Sequence, residues 1–156
     1  GPNTKHQVVS GILFIKIGSY LENKKCKIFA APFDVRLPVL NKKKDEEITT
    51  VAQPDISVVC DLSKIDQLGI CGAPDLVIEI LSPGNSKKEV CIKYELYKEA
   101  GVKEYWIINP VEENLVVYIL KDESKFIGTK MYAGGDIISS AAITGLQVHV
   151  TDIFKN

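Results

Sequence analysis

The chain has 156 residues, 46% of them hydrophobic and 25% charged, and a formal net charge of −1. That length fits one domain around one core, here taken as residues 1–156, with the composition of a globular protein. The near-neutral charge excludes a surface that is basic overall, and no apolar run approaches the ~20 residues that a membrane-spanning helix needs.

Gly1-Pro2 resembles a tag-cleavage remnant, so the sequence is expected to begin inside a longer natural chain. Residues 4–22 read as a helix, with Val8, Val9, Ile12, Leu13, Ile15, Lys16 and Tyr20 on an apolar stripe that Gly11 and Gly18 weaken. Residues 27–38 read as a strand, in which Pro32 marks an edge or a bulge. The run 41–47 is a charged loop, and its Lys42, Lys43 and Lys44 are the local cluster best suited to phosphate, although such runs commonly form a solvated surface.

Residues 54–60 predict a strand that starts near Asp55, and 61–74 a loop with Gly69, Gly72 and Pro74. Residues 75–81 are almost continuously apolar, the pattern of a central strand covered on both faces. Ser86 and Glu89 have capping-box spacing and open a helix that stops at Gly101. Residues 104–108 and 115–120 predict a hairpin, and further short strands follow from about Phe126. Strand, helix and strand across 75–108 make a parallel pair with a right-handed crossover. The strands at 54–60 and 75–81, joined without a helix, make an antiparallel pair. The expected fold is therefore α/β, a mixed central sheet flanked by helices with extra C-terminal strands.

Two charges stand where the pattern is apolar. Glu79 sits inside the central strand, and a buried carboxylate is costly unless it is paired or holds a metal. The antiparallel pairing sets Asp55 against the end of that strand, where opposed residues have Cβ atoms ~5 Å apart. Two carboxylates so placed can share a hard cation such as Mg²⁺. The alternative for Glu79 is a buried salt bridge. Asp75 is the poorer partner, because four strand residues separate it from Glu79 by roughly 13 Å; a turn or capping role suits it better. Lys93 falls within the apolar arc of the second helix formed by Val90, Ile92, Tyr94, Leu96, Tyr97 and Ala100, so it points at the sheet. It either snorkels to water or places a cation beside the carboxylates. His6, expected on the surface, and Asp34 are secondary candidates.

An acidic pair with a lysine suits metal-assisted phosphodiester hydrolysis with Mg²⁺ or Mn²⁺. Gly-x-Ser-x-Gly and phosphate-cradling glycine loops are absent. Cysteines at 26, 60, 71 and 91 form no C-x-x-C pair, only His6 and His149 could join them, and their spacing shows no secreted disulfide framework. With no secretory signal, a reducing cytoplasm is the expectation.

Gln-Pro-Asp-Ile-Ser-Val-Val (53–59), Ala-Pro-Asp-Leu-Val-Ile-Glu-Ile-Leu-Ser-Pro (73–83), Lys93, Leu96-Tyr97, Ala100-Gly101-Val102 and Glu104-Tyr105-Trp106-Ile107 together resemble the Uma-type family, of the PD-(D/E)XK nuclease superfamily. The resemblance spans about residues 4–154 and is most specific over 53–110. It implies a restriction-endonuclease-like core, Mg²⁺-dependent DNA cleavage, and Asp55 and Glu79 as the two acidic positions. It also implies the backbone carbonyl of Ile80 as a further metal ligand and a histidine on the first helix, which His6 matches. The superfamily lysine two residues after the acid is replaced by Leu81, and Lys93 takes its place from the following helix. Asn109 stands where an aspartate is usual, and the segment that normally precedes the first helix is missing. Superfamily nucleases often dimerise, so a homodimer is possible. The competing reading is a catalytically silent nucleic-acid-binding or protein-interaction domain that keeps the fold.

Overall fold

The computed structural model describes residues 3–41, 46–122 and 125–155; the lysine cluster Lys42, Lys43 and Lys44 lies outside the described residues. In chain order the elements are α1 (Thr4–Leu21), β1 (Lys27–Ala30), β2 (Val35–Asn41), β3 (Glu46–Ala52), β4 (Ile56–Val59), β5 (Ile65–Asp66), β6 (Gly69–Cys71) and β7 (Leu76–Ile80). They continue as α2 (Lys87–Ala100), β8 (Glu104–Asn109), β9 (Asn114–Lys121), β10 (Lys125–Gly128), β11 (Tyr132–Ala133), β12 (Ile137–Ser139), β13 (Gln147–His149) and α3 (Val150–Ile153).

Among the described residues, a mixed sheet runs β1-β4-β7-β8-β9-β10, with β11 also paired to β9. β4 and β7 are antiparallel, and β7 and β8 are parallel through α2. β7 is buried along its whole length, because helices or strands cover both of its faces and alternate side chains feed two cores. Ile56, Val58, Leu76, Ile78, Trp106 and Ile108 pack under α1 and the C-terminal elements. Val59, Val77, Tyr105 and Val102 pack instead with Tyr97 of α2 and with Val35 and Leu37 of β2. β2 belongs to a second sheet, ordered β3-β2-β6-β5. Among the described residues, no helix is long and apolar enough to cross a membrane.

Three local departures from the sequence expectations have physical reasons. Residues 27–38 are two strands in two sheets. The chain bends at Ala31–Pro32, whose peptide is cis, and Phe29 stacks on Phe33 across the bend at 4.4 Å. β5 and β6 lie within the segment 61–74 that reads as a loop, and β3 begins inside the charged run 41–47; β3 and β6 form on the two edges of β2, and β5 pairs with β6. In α1 the buried positions are His6, Val9, Leu13, Ile17 and Leu21. This stripe of roughly one residue per turn fits a helix lying on a sheet, and it leaves Val8 and Ile15 exposed.

The cysteines correct the sequence reading as well. Cys26 and Cys60 stand one step beyond the Lys27–Val59 pair of β1 and β4, and their sulfurs are bonded at 2.09 Å. Sheet register rather than sequence spacing brings them together, 34 residues apart. Cys71 and Cys91 are free and exposed.

α2 carries part of the candidate site, and its ends are well defined. The Ser86 side chain accepts from the Glu89 N–H at 3.1 Å, while Gly101 takes the left-handed conformation that ends the helix (φ 91°). The reciprocal half of the expected capping box is replaced, because the Glu89 carboxylate accepts from Asn85 Nδ2 at 3.0 Å. Ser86→Ala is expected to cost about 1 kcal/mol. Thermal circular dichroism should show this as a melting temperature lower by roughly 2–4 °C for a chain of this size.

Candidate active site

The register of β4 on β7 sets Ile56 opposite Ile78, so the next pair outward is Asp55 with Glu79. Two backbone-to-carboxylate contacts lace that end of the sheet. The Ile80 N–H donates to Asp55 Oδ2 at 2.7 Å, and the Asp55 N–H approaches Glu79 Oε1 at 3.4 Å. Alternation along β7 turns Glu79 toward α2. There the Tyr97 hydroxyl donates to Glu79 Oε2 at 2.7 Å, and Lys93 Nζ lies 3.1 Å from the same oxygen. Lys93 and Tyr97 are four residues apart and share one helix face. From α1, His6 Nε2 lies 3.2 Å from Asp55 Oδ1.

These groups line a cavity of about 340 Å³ whose walls include His6, Gln53, Asp55, Glu79, Ile80 and Lys93. The lysine side chain is 44% exposed and that of Glu79 only 7%, so the cation sits at the mouth and the carboxylate at the floor. Burial raises the Glu79 carboxyl above its ordinary range; the Lys93 ammonium and the Tyr97 hydrogen bond pull against this, and neighbouring Asp55 adds to it. Burial and Glu79 together push the Tyr97 hydroxyl upward, so it stays protonated and donating. Tyr105, on the cavity wall, is raised for the same reasons.

The donor set can be tested against a cation on its own chemistry. Among the described residues, no three histidine, cysteine, aspartate or glutamate side chains are placed to hold one metal ion together. Two carboxylates with a backbone carbonyl and water fit a hard, octahedral ion of the Mg²⁺ kind, which keeps several of its waters. They do not fit the four side-chain ligands of structural zinc. Among the described residues Glu79 Oε1 has only the 3.4 Å approach of the Asp55 N–H, so it retains room to accept. A cation there would offset the cost of a buried carboxylate.

The sequence candidates separate cleanly in space. Asp55, Glu79, Lys93 and His6 converge, and Ile80 lies between the two acids. His6 is buried rather than on the surface, because it falls on the stripe by which α1 lies on the sheet; its Nδ1 is buried without a partner among the described residues. Asp75 lies at the opposite end of β7, where it accepts from the Cys60 N–H at 2.8 Å and from Lys103 at 3.0 Å. Asp34 precedes β2 and accepts from Gln53 Nε2 at 2.8 Å, so it reaches the cavity only through Gln53. Sequence reasoning missed Tyr97 as a site residue by counting it as part of the apolar arc. Its spacing of one turn from Lys93 was the available signal.

A solved structure from Anabaena variabilis ATCC 29413, described as a "putative nuclease belonging to DUF820", matches this fold with a TM-score of 0.73 at 22% identity. The match covers 98% of this chain and 82% of that one, and at this identity it establishes a shared fold. No curated protein matches the sequence. The Uma2 family, described as "Putative restriction endonuclease", matches residues 1–151. By that match over nearly its whole length, with the mixed sheet flanked by helices that the sequence led one to expect, the chain belongs to the Uma2 family of restriction-endonuclease-like proteins.

Proposed function

We propose that this chain is an endonuclease that hydrolyses DNA phosphodiester bonds with a divalent cation, Mg²⁺ or Mn²⁺. In this reading residues 1–156 act as one domain, and a homodimer would present two sites to two strands. The carrying observation is the convergence of two carboxylates, Asp55 and Glu79, with Lys93 at the mouth of one cavity. The family description and the nuclease-like fold support it.

Asp55, Glu79 and the backbone carbonyl of Ile80 would hold the cation. When bound, the cation supplies Lewis-acid polarisation of the phosphoryl group and hydroxide near neutral pH. His6 steadies the Asp55 carboxylate on the side away from Ile80, so both Asp55 oxygens have fixed directions. Lys93, long and half exposed, swings from Glu79 to a phosphoryl oxygen. Its ammonium stabilises the charge that develops there, in a cavity whose floor excludes most water.

Cleavage of supercoiled plasmid and of single-stranded DNA, with Mg²⁺, Mn²⁺ or chelator, tests the proposal. Lys93→Met is expected to lower the rate about 10²–10³-fold, the scale of losing one preorganised charge-stabilising group, with an unchanged circular dichroism spectrum. Cleavage that survives chelation, or a Lys93→Met protein as fast as the wild type, would remove the basis for this site.

A further inference from the structure

We infer that Tyr97 is a positioning residue: its hydroxyl claims Oε2 of Glu79, which leaves Oε1 as the oxygen offered to the cation and frees Lys93 to meet the substrate. This inference rests on the proposed metal site and assigns a role within it.

A carboxylate can accept at both oxygens, with about four lone-pair directions between them. At Glu79 these directions are used unequally. Oε2 receives the Tyr97 hydroxyl at 2.7 Å and faces Lys93 Nζ at 3.1 Å. Among the described residues Oε1 has one long approach, from the Asp55 N–H at 3.4 Å, and it lies on the side of the acid pair. The two groups at Oε2 differ in mobility. Tyr97 is fully buried, and its ring meets that of Tyr105 edge-on at 5.0 Å, so its hydroxyl cannot swing away. Lys93 has a flexible stem and a side chain 44% exposed.

Without the tyrosine hydroxyl, Lys93 would be the sole partner of Oε2. A buried carboxylate left with one partner holds that partner tightly, so the ammonium would be tied to Glu79 and the carboxylate free to rotate. With the hydroxyl in place, neither follows. Groups that orient a metal ligand in this way are worth about 10–100-fold in metal affinity. The alternative is that Tyr97 is a packing residue whose hydroxyl found the nearest acceptor. In that case its loss would move stability and nothing else.

The test is Mn²⁺ binding by electron paramagnetic resonance, without DNA, on the wild type, Tyr97→Phe and Glu79→Gln. Tyr97→Phe is expected to weaken Mn²⁺ binding about 10–100-fold. Its cleavage rate at saturating Mn²⁺ should recover only in part, because Lys93 stays held by Glu79, and should remain above that of Lys93→Met. Tyr97→Phe binding Mn²⁺ like the wild type, with Glu79→Gln binding none, overturns the inference and spares the metal site. Wild type that binds no Mn²⁺, or Glu79→Gln that binds it equally well, overturns the metal site itself and the inference with it. A lower melting temperature for Tyr97→Phe with unchanged Mn²⁺ affinity assigns the residue to packing and also overturns the inference.

Discussion

Glu79→Gln is expected to lower metal-dependent cleavage by at least ~10³-fold while making the metal-free protein more resistant to heat. The loss follows from the ligand chemistry. An amide is a poor ligand for a hard cation, and the cation is worth several kcal/mol of transition-state stabilisation; each 1.36 kcal/mol is a factor of ten, so ~10³-fold corresponds to about 4 kcal/mol. Glutamine preserves the volume of Glu79 and can still accept from Tyr97, so the geometry of α2 against the sheet should persist. Plasmid nicking rates under single-turnover conditions measure the loss.

The gain in stability follows from the raised carboxyl of Glu79. In the unfolded chain this group ionises near its ordinary value of 4.5, and in the folded protein only at higher pH. Between those two points the folded state binds more protons, so stability falls as pH rises through that window and stays lower above it. Glutamine has no such slope. The melting temperature of Glu79→Gln should therefore equal or exceed that of the wild type in chelator, and the gap should widen from pH 4.5 upward before it levels. Adding Mg²⁺ should raise the wild type alone, since a ligand that binds only the native state stabilises it. Should Glu79→Gln melt below the wild type at pH 8 in chelator, Lys93 and Tyr97 would be more than sufficient partners, and the carboxylate would carry no strain for a cation to relieve.

The placement of Glu79 beside Asp55 was legible in the sequence because its signals are local. A charge within an apolar strand, a proline before Asp55, and a connection too short for a helix together set the antiparallel register and hence the acid pair. Ser86 and Gly101 likewise mark the ends of α2 through their own backbone needs. Other features depend on partners distant in sequence. Whether residues 27–38 make one strand or two turns on the second sheet, to which β2 is bonded. β3 looks like the rim of a charged loop until β2 supplies its hydrogen bonds. Cys26 and Cys60 have no meaningful spacing until β1 and β4 pair. His6 and Tyr97 both lie on apolar stripes, and helix phase alone cannot say whether a polar group there is satisfied by solvent, by a carboxylate or not at all.

Glu104 provides the second large expectation and a control for the first. It is also a buried acid in the central sheet, fully enclosed, yet its surroundings are the reverse of those at Glu79. Its Oε2 accepts from Trp106 Nε1 at 2.6 Å. Its Oε1 accepts from the Ser140 hydroxyl at 3.1 Å and from the N–H groups of Ala141 and Ala142 at 2.7 and 2.9 Å. Both oxygens are occupied by rigid donors, and the carboxylate ties the start of β8 to the turn between β12 and β13. Glu104→Gln would aim an amide N–H at one of these donors and strand it, at a cost of about 3 kcal/mol. At 2–4 °C per kcal/mol for a chain of this size, the melting temperature should fall by roughly 10 °C. Emission from Trp106, the only tryptophan in the chain, should shift to the red if the indole loses its partner and its enclosure. Cleavage per folded molecule, measured well below that transition, should stay at the wild-type level, because Glu104 faces away from the cavity of Asp55 and Glu79. A Glu104→Gln protein with an unchanged melting temperature but lost cleavage would reverse the assignment, and donor saturation would no longer separate Glu104 from Glu79.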